Sequence, residues 1–192
     1  MKILTVPNPQ LSKSTSLVED IEKEVLPFLK EMKKLMSSSG GVALAAPQVD
    51  LNSSFFIDKG EVYINPILTI LDETLIEGRE GCLSLPGGIY LMKRHKSVRL
   101  DYTNLKGNTV STTATIPNRI TNPKDQLALV KCLTFQHEMN HLEGKTLADL
   151  GKPFLGQFGK TDEEKERRVD PRTLPIMDLR TLQHFIAKNK GL

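Results

Sequence analysis

Cysteine is nearly missing from this chain: Cys82 and Cys132 are the only two in 192 residues. Two thiols are too few for a disulfide framework and suit a reducing compartment. Each must therefore be read as core filler or as chemistry. Long apolar runs are missing too. None approaches the ~20 residues needed to span a bilayer. The opening Met1-Lys2-Ile3-Leu4-Thr5-Val6-Pro7 lacks the long apolar region of a secretory signal and the Arg/Ser-rich character of a transit peptide. A cytoplasmic protein is expected. Strong charge of one sign is also lacking. A net charge of +3 and a pI of about 8.8 give a mild basic bias, far short of a nucleic-acid stripe, so no DNA partner and no membrane partner are expected. There is no internal repeat.

What is present is ordinary for a globular protein, with 39% hydrophobic and 26% charged residues, and the length favours one core over two. Over residues 17–36, Val18, Ile21, Val25, Phe28, Leu29, Met32, Leu35 and Met36 recur at helical spacing. Pro27 predicts a kink or restart within that helix, and the Ser-Ser-Ser-Gly-Gly of residues 37–41 ends it. Short strands are predicted at residues 54–57, 62–65, 67–70 and 97–102, the last with clean alternation and a turn at residues 104–108. A second helix is predicted from Asn122 as N-cap and Pro123 to a C-terminus near Gly144. Its apolar residues run around much of its circumference, which predicts a central, buried position. Residues 162–168 form a mixed-charge run, and an amphipathic segment spans residues 177–188.

The second helix carries Gln136-His137-Glu138-Met139-Asn140-His141, an H-E-x-x-H string. Histidines four apart on a helix share a face, so both rings can address one ion, with the glutamate placed to handle a proton on water. Two histidines leave a divalent ion short of ligands. A third histidine at the metzincin spacing is excluded, because that position is Leu147. Glu163 and Glu164 lie in the range of a thermolysin-like third ligand but sit in a charged run with no apolar framework. Cys82, between Gly81 and a Ser-Leu-Pro turn, is the remaining candidate, since a thiolate is a strong ligand for such metals. A small buried hydrophobe is its plainer reading.

These strings occur in an order that resembles the peptide deformylase family. Gly41-Val42-Ala43-Leu44-Ala45-Ala46-Pro47-Gln48 is similar to its first motif, G-x-G-x-A-A-P-Q. Glu80-Gly81-Cys82-Leu83-Ser84 matches the second, and Gln136-His137-Glu138-Met139-Asn140-His141-Leu142 the third. The resemblance covers about residues 3–150. It implies one α+β catalytic domain over residues 1–192, with antiparallel β-sheets around a central metal-binding helix and a C-terminal helical segment in an extension from about residue 155.

The resemblance implies that Cys82, His137 and His141 hold one divalent metal, typically Fe2+ and replaceable by Ni2+, Co2+ or Zn2+, with water as the fourth ligand. Glu138 becomes the general base and acid. Gln48 and the Leu83 backbone N–H become the oxyanion donors. The implied substrate is the N-formyl-methionyl end of a nascent peptide, which yields formate. Val42, Ala43, Val130, Leu133 and Arg94 are candidate substrate contacts, with ordinary core or packing roles as the alternative. Cys132, His95 and His184 are read as packing residues.

Two departures from the family pattern stand out. Ala43 replaces a glycine, and an added methyl there could narrow the cleft. Asn140 replaces an aspartate, which keeps the shape and loses a charge that balances a cation such as Arg94. Hydrolysis is expected to survive both changes. Two other classes stay open: a different metallohydrolase such as a peptidase, and a non-catalytic peptide- or ribosome-binding relative. Residues 177–188 could dock on the ribosome, though packing on their own domain is the preferred reading.

Overall fold

The structure is a computed structural model and describes residues 1–154. The charged run, Glu163, Glu164, His184 and the amphipathic segment at residues 177–188 lie outside the described residues. No helix among the described residues is long and apolar enough to cross a membrane.

The first helical region breaks where proline requires it. Helix α1 (Ile21–Glu24) is capped by Asp20, whose side chain accepts from the Glu22 and Lys23 amides. Val25 leaves helical geometry, and α2 (Leu26–Ser38) restarts with Pro27 in its first turn, where no amide donor is needed. The expected helix at residues 17–20 does not form. Ser16 bridges Ser53 there, and Val18 exchanges hydrogen bonds with the Asn65 side chain at 2.8 and 2.9 Å.

Strands β1 (Ala43–Ala45), β2 (Phe55–Asp58), β3 (Val62–Cys82), β4 (Leu85–Thr103) and β5 (Thr109–Thr115) follow in order as neighbours, all antiparallel, and β6 (Lys152–Pro153) adds to β4. Antiparallel pairing is as expected, and among the described residues the strands make one six-stranded sheet. The strands expected at residues 62–65 and 67–70 are one strand. Asn65 adopts φ 48° at a register shift, which lets the chain pass Pro66 without leaving the sheet. The strand expected at residues 97–102 is the end of β4, a 19-residue strand. β5 was not anticipated.

Alternation through the first strands sorts the core. Leu44, Phe55, Ile57 and Ile64 pack on one face with Leu29, Met32 and Met36 of α2. Ala45, Phe56 and Tyr63 face the other side, toward helix α3 (Pro123–Leu142). There Tyr63 stacks on Phe56 with centroids 4.5 Å apart and meets Phe135 edge-on at 5.3 Å. Asn122 caps α3 by accepting from the Lys124 and Asp125 amides, and Gly144, at φ 72°, lets the chain turn away after it. Only the start of the helix is open, with Leu127 exposed; from Leu129 to Leu142 no residue is exposed and buried residues lie around its circumference, as the sequence predicts. A short α4 (Leu147–Leu150) follows, and its Leu147 packs with Met92 and Cys82.

Candidate metal centre

Three pieces of backbone bring distant residues together. The first is the hairpin between β3 and β4, where Cys82 pairs with Leu85 and residues 83–84 make the turn. The second is α3, which presents His137, Glu138 and His141. The third is a 3-10 helix, Ala46–Val49, directly after β1, which carries Gln48.

The Cys82 Sγ and one ring nitrogen from each of His137 and His141 all lie within 4.8 Å of one another. The sulfur is 3.2 Å from His141 Nε2. All three residues are buried or nearly so. A thiol and two imidazoles converging at this range in a largely buried site fit a borderline-soft divalent ion.

For His137 a second contact decides which ring nitrogen faces that point. His137 Nδ1 lies 2.9 Å from Glu80 Oε2. Burial works against the Glu80 charge, but hydrogen bonds from Arg94 and His137 outweigh it and bring its pKa to about 2. Arg94 grips Glu80 with both prongs, Nε to Oε1 at 2.7 Å and Nη2 to Oε2 at 2.9 Å. Its Nη1 donates to Asn140 Oδ1 at 2.5 Å. Glu80, quoted in the second motif without a role, is thus the residue that sequence reasoning missed. Its signal was positional: residues two apart on a strand share a face, so Glu80 must lie beside Cys82 once β3 is known.

Glu138 is 4% exposed, and its Oε2 has no hydrogen-bond partner among the described residues. Burial pushes its pKa up to about 7, against the pull of His137 and Arg94. A buried carboxylate near neutrality, one residue beyond His137, is suited to taking and returning a proton. Burial, with the charges of His137 and Arg94, holds His141 well below the usual imidazole range, so it is neutral and able to ligate. Burial also opposes an imidazolium at His137, but Cys82 and Glu80 outweigh it and push that group upward.

Gln48 has its amide orientation fixed. The Ala45 backbone N–H donates to Gln48 Oε1 at 2.9 Å, which turns Nε2 toward Ser84 Oγ at 3.2 Å and Cys82 Sγ at 3.5 Å. Leu83 sits in the hairpin turn next to Cys82. Val130 and Leu133 lie seven and four residues before His137, on its side of α3, and are half-buried, as is Val42. Arg94 is engaged on both sides and only 5% exposed, so it braces the site from within.

The two departures are accommodated. Ala43 is a buried strand residue without a positive φ, so its methyl strains no backbone. Asn140 keeps a hydrogen bond to Arg94, while among the described residues Glu80 alone supplies the carboxylate for that guanidinium. Cys132 is fully buried, and burial raises its thiol to about 11, in line with a packing role. His95 is half-buried, its Nδ1 unpartnered among the described residues and its backbone bonded to Gln136.

Comparison with known proteins points one way. The profile of the family described as polypeptide deformylase matches residues 1–154. The chain is 34% identical over 174 residues to a peptide deformylase of Borreliella burgdorferi, covering 83% of this chain and 98% of that protein. It is 31% identical over 175 residues to one from Teredinibacter turnerae, covering 88% and 96%. Among solved structures, peptide deformylase from Thermotoga maritima superposes with a TM-score of 0.67 at 28% identity, covering 78% of this chain and 95% of that one. The Synechococcus elongatus peptide deformylase, solved in complex with actinonin, superposes with a TM-score of 0.68 at 27% identity, covering 79% of each chain.

Proposed function

The chain belongs to the polypeptide deformylase family of hydrolases, and from that premise we propose that it removes the formyl group from N-formyl-methionyl nascent peptides in the cytoplasm, releasing formate. The observation that carries this reading is the convergence of Cys82, His137 and His141 beside a buried, unpartnered Glu138 oxygen.

A divalent ion held by those three residues, Fe2+ in the first instance with Ni2+, Co2+ or Zn2+ as replacements, would supply the Lewis acidity that makes water nucleophilic at neutral pH. Glu138 accepts the proton of the attacking water and delivers it to the departing amine as the C–N bond breaks. A pKa of about 7 suits both transfers. Negative charge gathers on the formyl oxygen, and the Gln48 side-chain amide and the Leu83 backbone N–H stabilise it. The Ala45 bond to Gln48 Oε1 supports this role, because it keeps the donor nitrogen toward the site. Glu80, held by Arg94, fixes the proton on His137 Nδ1, so the other ring nitrogen is the one that would ligate once its own proton is displaced by the metal. Val42, Val130 and Leu133 contribute apolar surface for the methionine side chain, with Ala43 beside them in β1.

Formate release from a formyl-methionyl peptide, measured anaerobically with bound metal quantified, tests the reading. Formate produced in proportion to metal is the expected result. Cleavage of unformylated peptides would mark a different metallohydrolase, and binding without formate release a non-catalytic relative.

A further inference from the structure

The two groups assigned to the oxyanion come from separate pieces of backbone, and little joins them directly. Gln48 belongs to the Ala46–Val49 helix, and Leu83 to the β3–β4 turn. Among the described residues, the direct hydrogen bonds between that helix and residues 82–85 are the two from Gln48 Nε2, to Ser84 Oγ and Cys82 Sγ. That nitrogen is the donor that must turn to the reacting oxygen. A bond surrendered during the reaction is a poor means of fixing the gap between the donors.

A third segment spans the gap without using either donor. The Leu4 backbone N–H donates to Gln48 O at 2.8 Å, and the Val6 backbone N–H donates to Ser84 O at 3.0 Å. Neither bond belongs to a strand ladder, since residues 1–5 have no regular structure and residues 6–7 form a bend. Ser84 is fully buried and Gln48 is 2% exposed, so both carbonyls depend on these partners for satisfaction. Leu4 is itself buried, which anchors the segment.

We propose that residues 4–6 are a positioning strap for the reaction, setting the separation between the Gln48 amide and the Leu83 N–H through their own backbone amides. The proposal rests on the deformylase reading above. A displacement of about 1 Å in a catalytic donor costs on the order of 100-fold in rate, and loss of the donor ~100- to 1,000-fold. Loosening the strap should therefore lower kcat by roughly 10- to 100-fold while KM and metal content hold.

Proline removes the amide donor and alanine keeps it, so Leu4→Pro is compared with Leu4→Ala, and Val6→Pro with Val6→Ala, each in the parent and in a Gln48→Ala background. The expected result is a 10-fold or greater fall in kcat from alanine to proline in the parent, shrinking toward no effect when Gln48 is absent. An equal fall in both backgrounds means that the strap acts on general stability and overturns the proposal. Amide hydrogen exchange on the unmodified chain tests the same bonds if the proline variants do not fold. Leu4 and Val6 should exchange far more slowly than Ile3 and Thr5, and equal exchange overturns the strap. A parent that releases no formate would instead refute the functional reading on which the strap rests.

Discussion

Glu80 and His137 share one proton-bearing contact, the carboxylate Oε2 lying 2.9 Å from the ring Nδ1. Because Glu80 is ionised, Nδ1 keeps a proton toward it, and Nε2 is the nitrogen that would bind an ion once its own proton is displaced. The orientation of one candidate ligand is thus set by a residue outside the Cys82, His137 and His141 cluster. Glu80→Gln should weaken metal affinity by about 10- to 100-fold. Competition against a chelator at fixed pH measures it, and an unchanged affinity would remove Glu80 from this role.

The same carboxylate makes the fold sensitive to acid. Its folded pKa, about 2, lies below the ordinary 4.5, so its stabilising contribution is complete above pH 4.5 and disappears as pH falls toward 2. The contribution is on the order of 3 kcal/mol. Urea unfolding of the metal-free chain should show a loss of that size across this window. Glu80→Gln, already less stable at neutral pH, should show a much flatter profile there.

Glu138 has the opposite sign. Its folded pKa, about 7, lies above the ordinary 4.5, so folding is favoured below pH 4.5 and penalised as pH rises through 7. In the metal-free chain, Glu138→Gln should match the parent at pH 4 and exceed it in stability at pH 8. Its formate release should fall by ~100- to 10,000-fold while metal content is kept. A variant that is both active and no more stable at pH 8 would refute both the burial argument and the catalytic role.

Asn140 serves Arg94 as a neutral acceptor, 2.5 Å from Nη1. Asn140→Asp keeps that geometry and adds a charge that Arg94 can balance, so formate release should stay within a few-fold of the parent. Ala43→Gly places glycine in a strand that needs no unusual backbone and should cost about 1 kcal/mol of stability without a gain in rate. Activity that appears only in these variants would show that the parent has lost the function.

The sequence exposed the site more readily than the sheet that holds it. His137 and His141 are four apart on a helix with a visible N-cap, so their pairing is local. Cys82 could be joined to them only by eliminating other ligands and by family resemblance, not by spacing, because its approach depends on the long β3–β4 hairpin. That hairpin was not legible over residues 71–96. Ile70, Leu71 and Leu75 are exposed, so the ribbon buries no continuous face and carries no clean alternation. β5 hid for a related reason: Thr109–Thr115 is an edge strand of small polar residues with only Ala114 buried. The Asn65-Pro66 break looked like a strand end until the positive φ of Asn65 explained how the sheet continues through it.

X-ray absorption on the chain loaded with one equivalent of Fe2+, Co2+ or Ni2+ tests most directly whether three residues from far-apart segments hold a single ion. The expected inner shell contains one sulfur and two imidazole nitrogens, and Cys82→Ser should remove the sulfur while leaving both nitrogens. A shell without sulfur, or a sulfur signal that survives Cys82→Ser, would contradict the site.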